Sequence, residues 1–158
     1  MKTLLAGLTG ALYLFASGGA AAADAQLVAP IHQFIDSFNK GDVKAAEATH
    51  ESGSVSIIDE VPPHLWQGPG AFKAWAAALE ADAKKHGQSD QSVKLGEPTR
   101  EEVTGDRAYV VVPATYAFKE KGAAMAEQGQ MTFALAKGAS GWKITGWSWT
   151  GPKPSPAK

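Results

Sequence analysis

The chain contains no cysteine in its 158 residues. Disulfides, a cysteine nucleophile and lipid attachment at an N-terminal cysteine are therefore excluded. It also has no block of like charge: 15 Lys and Arg stand against 16 Asp and Glu, a net charge of −1. Without a basic patch there is no electrostatic footprint for nucleic acid or an anionic membrane surface. No Gly-rich phosphate loop and no Ser nucleophile motif occur, and the four histidines never fall at His-x-His or His-x-x-x-His spacing. Neither a metal nor a cofactor is expected from these residues. The one sustained apolar run, Leu4 to Phe15, is too short to span a bilayer comfortably. With no staples to help it, the fold must stand on its hydrophobic core.

What is present begins with a leader. Lys2 precedes that apolar run, and Ala16 to Ala25 is small and flexible. Ala21-Ala22-Ala23 and Ala23-Asp24-Ala25 both fit a small-x-small cleavage site. Residues 1–23 read as a signal peptide cut after Ala23 or Ala25, which places the protein in the periplasm or outside the cell, free of the membrane. Residues 26–151 then form one domain. The end, 152–158, alternates proline and reads as a solvated, disordered tail.

Within the domain, Val28, Ile31, Phe34, Ile35 and Phe38 recur at helical spacing. Gly41 ends that helix and Asp42 caps a short second one through Ala48. A strand follows over 54–60, then a loop over 61–68, with Pro69 as the first residue of a third helix ending at Gly87. Its stripe is Phe72, Trp75, Ala76, Leu79 and Ala83. From Gln91 onward turn signals at Gly105-Asp106, Lys121-Gly122 and Gly138 to Gly141 separate four antiparallel strands, the first around 94–103. Strands segregated from helices indicate an α+β fold. Pro113 inside a strand marks an edge or a bend. Trp142 and Ile144 have the opposite parity to Trp147 and Trp149, and a bulge at Gly146 returns all four to one face.

These residues resemble a known superfamily. Gln33–Asp42, the strand carrying Asp59, the segment Trp66 to Gly70 and the closing Gly141–Trp147 are similar to NTF2-like (SnoaL-like) domains over essentially the whole domain. The resemblance implies a cone of the cystatin-like roll type, three helices packed on a curved antiparallel sheet around a cavity. Such domains often dimerise through the sheet, and they include ketosteroid isomerase, polyketide cyclases and dehydratases. Asp59 resembles the catalytic base of that isomerase, while Phe34 stands where its oxyanion tyrosine would be. No carboxylate occurs over Gly129–Ala136, where its second donor is expected.

Three functions follow as expectations. One is binding of a small apolar or aromatic ligand in the cavity, against Phe34, Trp66, Tyr116, Trp147 and Trp149. The second is acid–base catalysis by Asp59 with His64, five residues apart across a proline loop, an Asp-His pair similar to that of some dehydratases. The third is a dimeric interaction module. Glu127, Gln128 and Gln130 offer polar contacts at a cavity mouth, and Trp75 and Trp142 read as core.

Overall fold

A computed structural model describes residues 24–157. The leader lies outside the described residues. Asp24 caps α1 (Ala25–Asn39) by accepting hydrogen bonds from the backbone N–H groups of Gln26 and Leu27. These are orphan donors of the first turn, so the cap satisfies them. Asp42 does the same for α2 (Val43–Ala48) through Ala45. The hairpin β1 (Val55–Ile58) and β2 (Leu65–Gly68) leads into α3 (Ala71–His86). Residues 65–68, read as loop, thus pair as a strand with β1. That pairing carries the chain past Pro69, and Gly70 in the left-handed region caps α3 instead. Gly87 closes α3 with φ of 67°. Among the described residues no helix is long and apolar enough to cross a membrane.

The remaining chain forms β3 (Gln88–Leu95), β4 (Arg100–Thr104), β5 (Arg107–Glu120), β6 (Ala123–Gly138), β7 (Gly141–Thr150) and β8 (Ser155–Pro156). The expected single strand around 94–103 is split at Gly96-Glu97-Pro98, and both pieces line the same edge of β5. Pro113 sits where β5 changes partner from β4 to β3. Its carbonyl accepts from Gly96 on that edge, so the N–H it lacks would face the gap between two partner strands. The main sheet runs β2-β1-β7-β6-β5-β3, antiparallel except where β1 runs parallel to β7. It is curved and unclosed.

The register of β7 slips against β6 between Ile144 and Gly146. This bulge turns Trp142, Ile144 and Trp147 into the core, with Trp149 packed beside them. Gly146 is required there: a Cβ would lie 2.8 Å from the Ser56 carbonyl oxygen of β1. The core fills the concave side with Leu27, Ile31 and Phe34 of α1, Phe72 and Trp75 of α3, and Phe133 and Leu135 of β6. The tail, read as solvated and disordered, returns along the sheet as β8 and pairs with Met125 and Ala126 of β6.

Candidate functional site

Between α1, α3 and the concave face of β5–β7 lies a cavity of about 530 Å³. Phe34 of α1 stands at its base, 1% exposed. Trp75, Tyr116, Trp147 and Trp149 give it aromatic walls, and Lys153 and Pro154 of the tail lie at its rim.

Asp59 reaches this cavity by simple alternation. It continues the inward parity of Val55 and Ile57 just beyond the end of β1. One carboxylate oxygen accepts from the Val61 N–H at 3.0 Å, the other from the Trp75 indole N–H at 2.9 Å. Burial raises its pKa against the pull of both hydrogen bonds. Trp75, read as core, is therefore both core and the residue that orients Asp59.

Glu60 lines the same cavity and forms a carboxyl pair with Glu127. Glu127 is 1% exposed and accepts from the Trp149 indole N–H at 2.6 Å. Its other oxygen meets no N–H or hydroxyl donor among the described residues. The group within hydrogen-bonding reach is the carboxyl of Glu60. Desolvation, followed by the charge of Glu127, pushes Glu60 up to about 7. Burial likewise raises Glu127, with Trp149 opposing. When Glu60 is protonated, its O–H can donate to the Glu127 carboxylate and the pair shares one proton. The hydroxyl of Tyr116 is buried without a partner among the described residues, and desolvation with the surrounding carboxylates holds its pKa well above the ordinary phenol value. The Tyr116 ring sits 6.2 Å from that of Trp149.

The opposite end of the site is closed. His50, 5% exposed, accepts from the Trp147 indole N–H at 3.1 Å through Nε2. That role leaves the proton on Nδ1, which lies 3.0 Å from the Ala46 carbonyl oxygen. Burial lowers the His50 pKa to about 4, so at neutral pH it is an uncharged brace.

Of the residues expected at the site, Asp59, Phe34, Tyr116, Trp147 and Trp149 line the cavity together. Trp66 does not: on β2 it is 7% exposed and packed into the core. Nor does His64 pair with the Asp59 carboxylate. Its Nδ1 lies 3.4 Å from the Asp59 backbone oxygen and its ring is exposed, because Asp59 and His64 close the hairpin through backbone instead. Glu127, expected as a polar contact at a cavity mouth, is instead buried, two residues before the carboxylate-free stretch Gly129–Ala136. Its signal was alternation: Glu127 shares parity with Met131, Phe133 and Leu135, all buried.

The SnoaL-like domain family matches residues 28–149. The chain belongs to this family. No curated protein matches it in sequence. Solved structures resemble the SnoaL-like domain at identities that speak for fold alone. A ketosteroid isomerase-like protein from Erwinia carotovora atroseptica is 19% identical with a TM-score of 0.62, over 82% of this chain and 96% of that one. An NTF2-like protein with a cystatin-like fold from Novosphingobium aromaticivorans is 15% identical at a TM-score of 0.62, over 78% of each chain. A CaMKII hub from S. rosetta is 18% identical at a TM-score of 0.64, over 84% and 98%. The SnoaL-like domain is thus an NTF2-like α+β cone.

Proposed function

We propose that this SnoaL-like domain binds a small apolar or aromatic molecule in its cone cavity. The observation that carries the reading is the cavity of about 530 Å³ with Phe34, Trp147 and Trp149 on its walls. Its size and apolar lining, set with a few polar groups, match small-molecule sites. The neutral dye N-phenyl-1-naphthylamine fluoresces on leaving water and tests this directly. Saturable enhancement, with energy transfer from Trp147 and Trp149, is the expected result. A dye that gains no fluorescence at any concentration would sink the proposal.

A second reading has the domain catalyse an isomerase-, cyclase- or dehydratase-type proton transfer with Asp59. Its motivation is a buried carboxyl of raised pKa held against the cavity by Trp75. Asp59→Asn should abolish any turnover found, and an unchanged kcat would remove Asp59 as the base.

Export to the periplasm or medium belongs to the same proposal. Cleavage after Ala23 would keep Asp24 as the cap of α1, whereas cleavage after Ala25 would delete it. Sequencing of the exported protein should therefore begin at Asp24, and recovery of uncleaved Met1 from the cytoplasm alone would contradict export. Dimerisation through the sheet is motivated by the exposed Ile58–Leu65 pair, Val103 and Tyr109. A monomer by light scattering at high micromolar concentration would remove it.

A further inference from the structure

We infer that the cavity takes an organic cation: an arylalkylamine whose ring lies against Trp147 and Trp149 and whose ammonium meets Asp59 and Glu60, with Glu127 buried behind Glu60. This rests on the cavity-binding proposal above and narrows its ligand class.

The first support is charge without compensation. Among the described residues no lysine or arginine forms an ion pair with Asp59, Glu60 or Glu127. Asp59 and Glu60 line the cavity with two further carboxyls, Asp82 of α3 and Glu120 of β5, and Glu127 lies buried within reach of Glu60. Against these five acids stand Lys153 of the tail and His86 of α3, and His86 is engaged by Asp82 at 3.1 Å. An anionic ligand would meet net repulsion here.

The second support is Glu127. Buried polar atoms in folded proteins almost always have partners, yet one oxygen of this nearly inaccessible carboxyl has no N–H or hydroxyl aimed at it. The Gly151 backbone packs closely on the other oxygen, the one that accepts from Trp149: a Cβ there would run into the Glu127 side chain. Tyr116, whose hydroxyl is unpartnered among the described residues, lines the cavity and offers an acceptor to an ammonium N–H.

The third support is the kind of cation. No three acidic or histidine groups among the described residues converge closely enough to hold a metal ion. Aromatic faces beside carboxylates suit instead a cation with an apolar body, since ring faces attract ammonium groups. Binding then has a definite proton balance. The ammonium pairs with the Glu60 carboxylate, and the Glu60 proton leaves to solvent. The other ionisable groups facing this space are Asp59, Asp82, His86, Tyr116, Glu120 and Lys153, with Glu127 buried behind Glu60. With Glu60 titrating at about 7, amine affinity should rise between pH 6 and pH 8, roughly one unit either side.

Displacement of N-phenyl-1-naphthylamine from the purified protein tests the inference, with three indoles that differ in one group: tryptamine (ammonium), tryptophol (hydroxyl) and indole-3-propionate (carboxylate). At pH 8 tryptamine should displace the dye at about tenfold lower concentration than tryptophol, with no displacement by the propionate. Glu127→Gln and Glu60→Gln should each cut that preference to about threefold or less while leaving tryptophol unchanged. Glu60 lies at the exposed rim, so its variant reports even where Glu127→Gln does not fold. Equal displacement by tryptamine and tryptophol, a preference surviving both substitutions, or a tryptamine affinity that is the same at pH 6 and pH 8 overturns the cation while leaving the apolar cavity in place. A protein that binds neither dye nor any indole overturns both proposals.

Discussion

Trp147 and Trp149 lie on the same face of β7, and each indole N–H ends on a titratable group, yet the two partnerships have opposite character. Trp147 donates to His50 at the closed end, where every ring atom capable of hydrogen bonding is used. Trp149 donates to Glu127 at the open end, where one carboxyl oxygen is left over. The closed end spends its polar groups on the fold. The open end holds them in reserve, and this separates structural from functional polarity on a single strand.

The comparison is broken most violently at the closed end. Trp147 contacts the rings of Phe34 and Trp75 at 5.6 Å and 4.9 Å and is 5% exposed. Trp147→Ala should cost about 4 kcal/mol, combining lost burial, a cavity and an unpaired His50. Trp149 is only partly buried, so Trp149→Ala should cost about 2 kcal/mol, chiefly by stripping Glu127 of its donor. Urea denaturation of both variants measures the contrast, and equal losses would abolish it.

Acid titration should separate the two ends by sign. Folded His50 titrates near 4 instead of 6.5, so its contribution is complete above pH 6.5 and is lost as pH falls toward 4. That loss is about 3 kcal/mol. Glu60 runs the other way: with its pKa raised from 4.5 to about 7, its contribution is present below pH 4.5 and lost as pH rises through 7. The two slopes oppose each other between pH 4.5 and 6.5. Glu60→Gln should therefore steepen the acid loss of stability in that window. A variant whose stability profile parallels the parent's would mean Glu60 is not perturbed.

How much of this was legible follows from period-two alternation. Asp59 could be placed inward from Val55 and Ile57, and the bulge at Gly146 from the broken parity of the tryptophans. Glu127 was expected as a polar contact at a cavity mouth, and the inward parity it shares with Met131 and Phe133 buries it instead. Glu60 was not readable, because it stands past the end of β1 with outward parity, and only the folded hairpin brings it to Glu127. His64 misled for the same reason in reverse: closeness in sequence suggested a side-chain pair, and the hairpin used the backbone. The split of β3 from β4 was marked by Pro98, which a reading of hydrophobic pattern alone runs through.

Two glycines sharpen the contrast further. At the closed end a Cβ on Gly146 would press on backbone, the Ser56 carbonyl oxygen at 2.8 Å. At the open end a Cβ on Gly151 would press on the Glu127 side chain. Backbone in a sheet yields less than a side chain beside a cavity, so Gly146→Ala should cost about 2 kcal/mol and Gly151→Ala about 1 kcal/mol. Gly151→Ala should also weaken binding of a cationic ligand by displacing Glu127, which Gly146→Ala should not. Melting temperatures and dye displacement on the two variants decide it.

The smallest effect belongs to His64, which the sequence had placed beside Asp59. Its ring is exposed, it is absent from the cavity wall, and its backbone has φ of 75°. Asparagine tolerates that left-handed conformation better than most side chains. His64→Asn should thus leave stability within about 0.5 kcal/mol and ligand affinity unchanged. If affinity, or any turnover that depends on Asp59, fell with His64→Asn, the open end would extend beyond the cavity to the hairpin loop. The division of polar groups along β7 would then describe only part of the site.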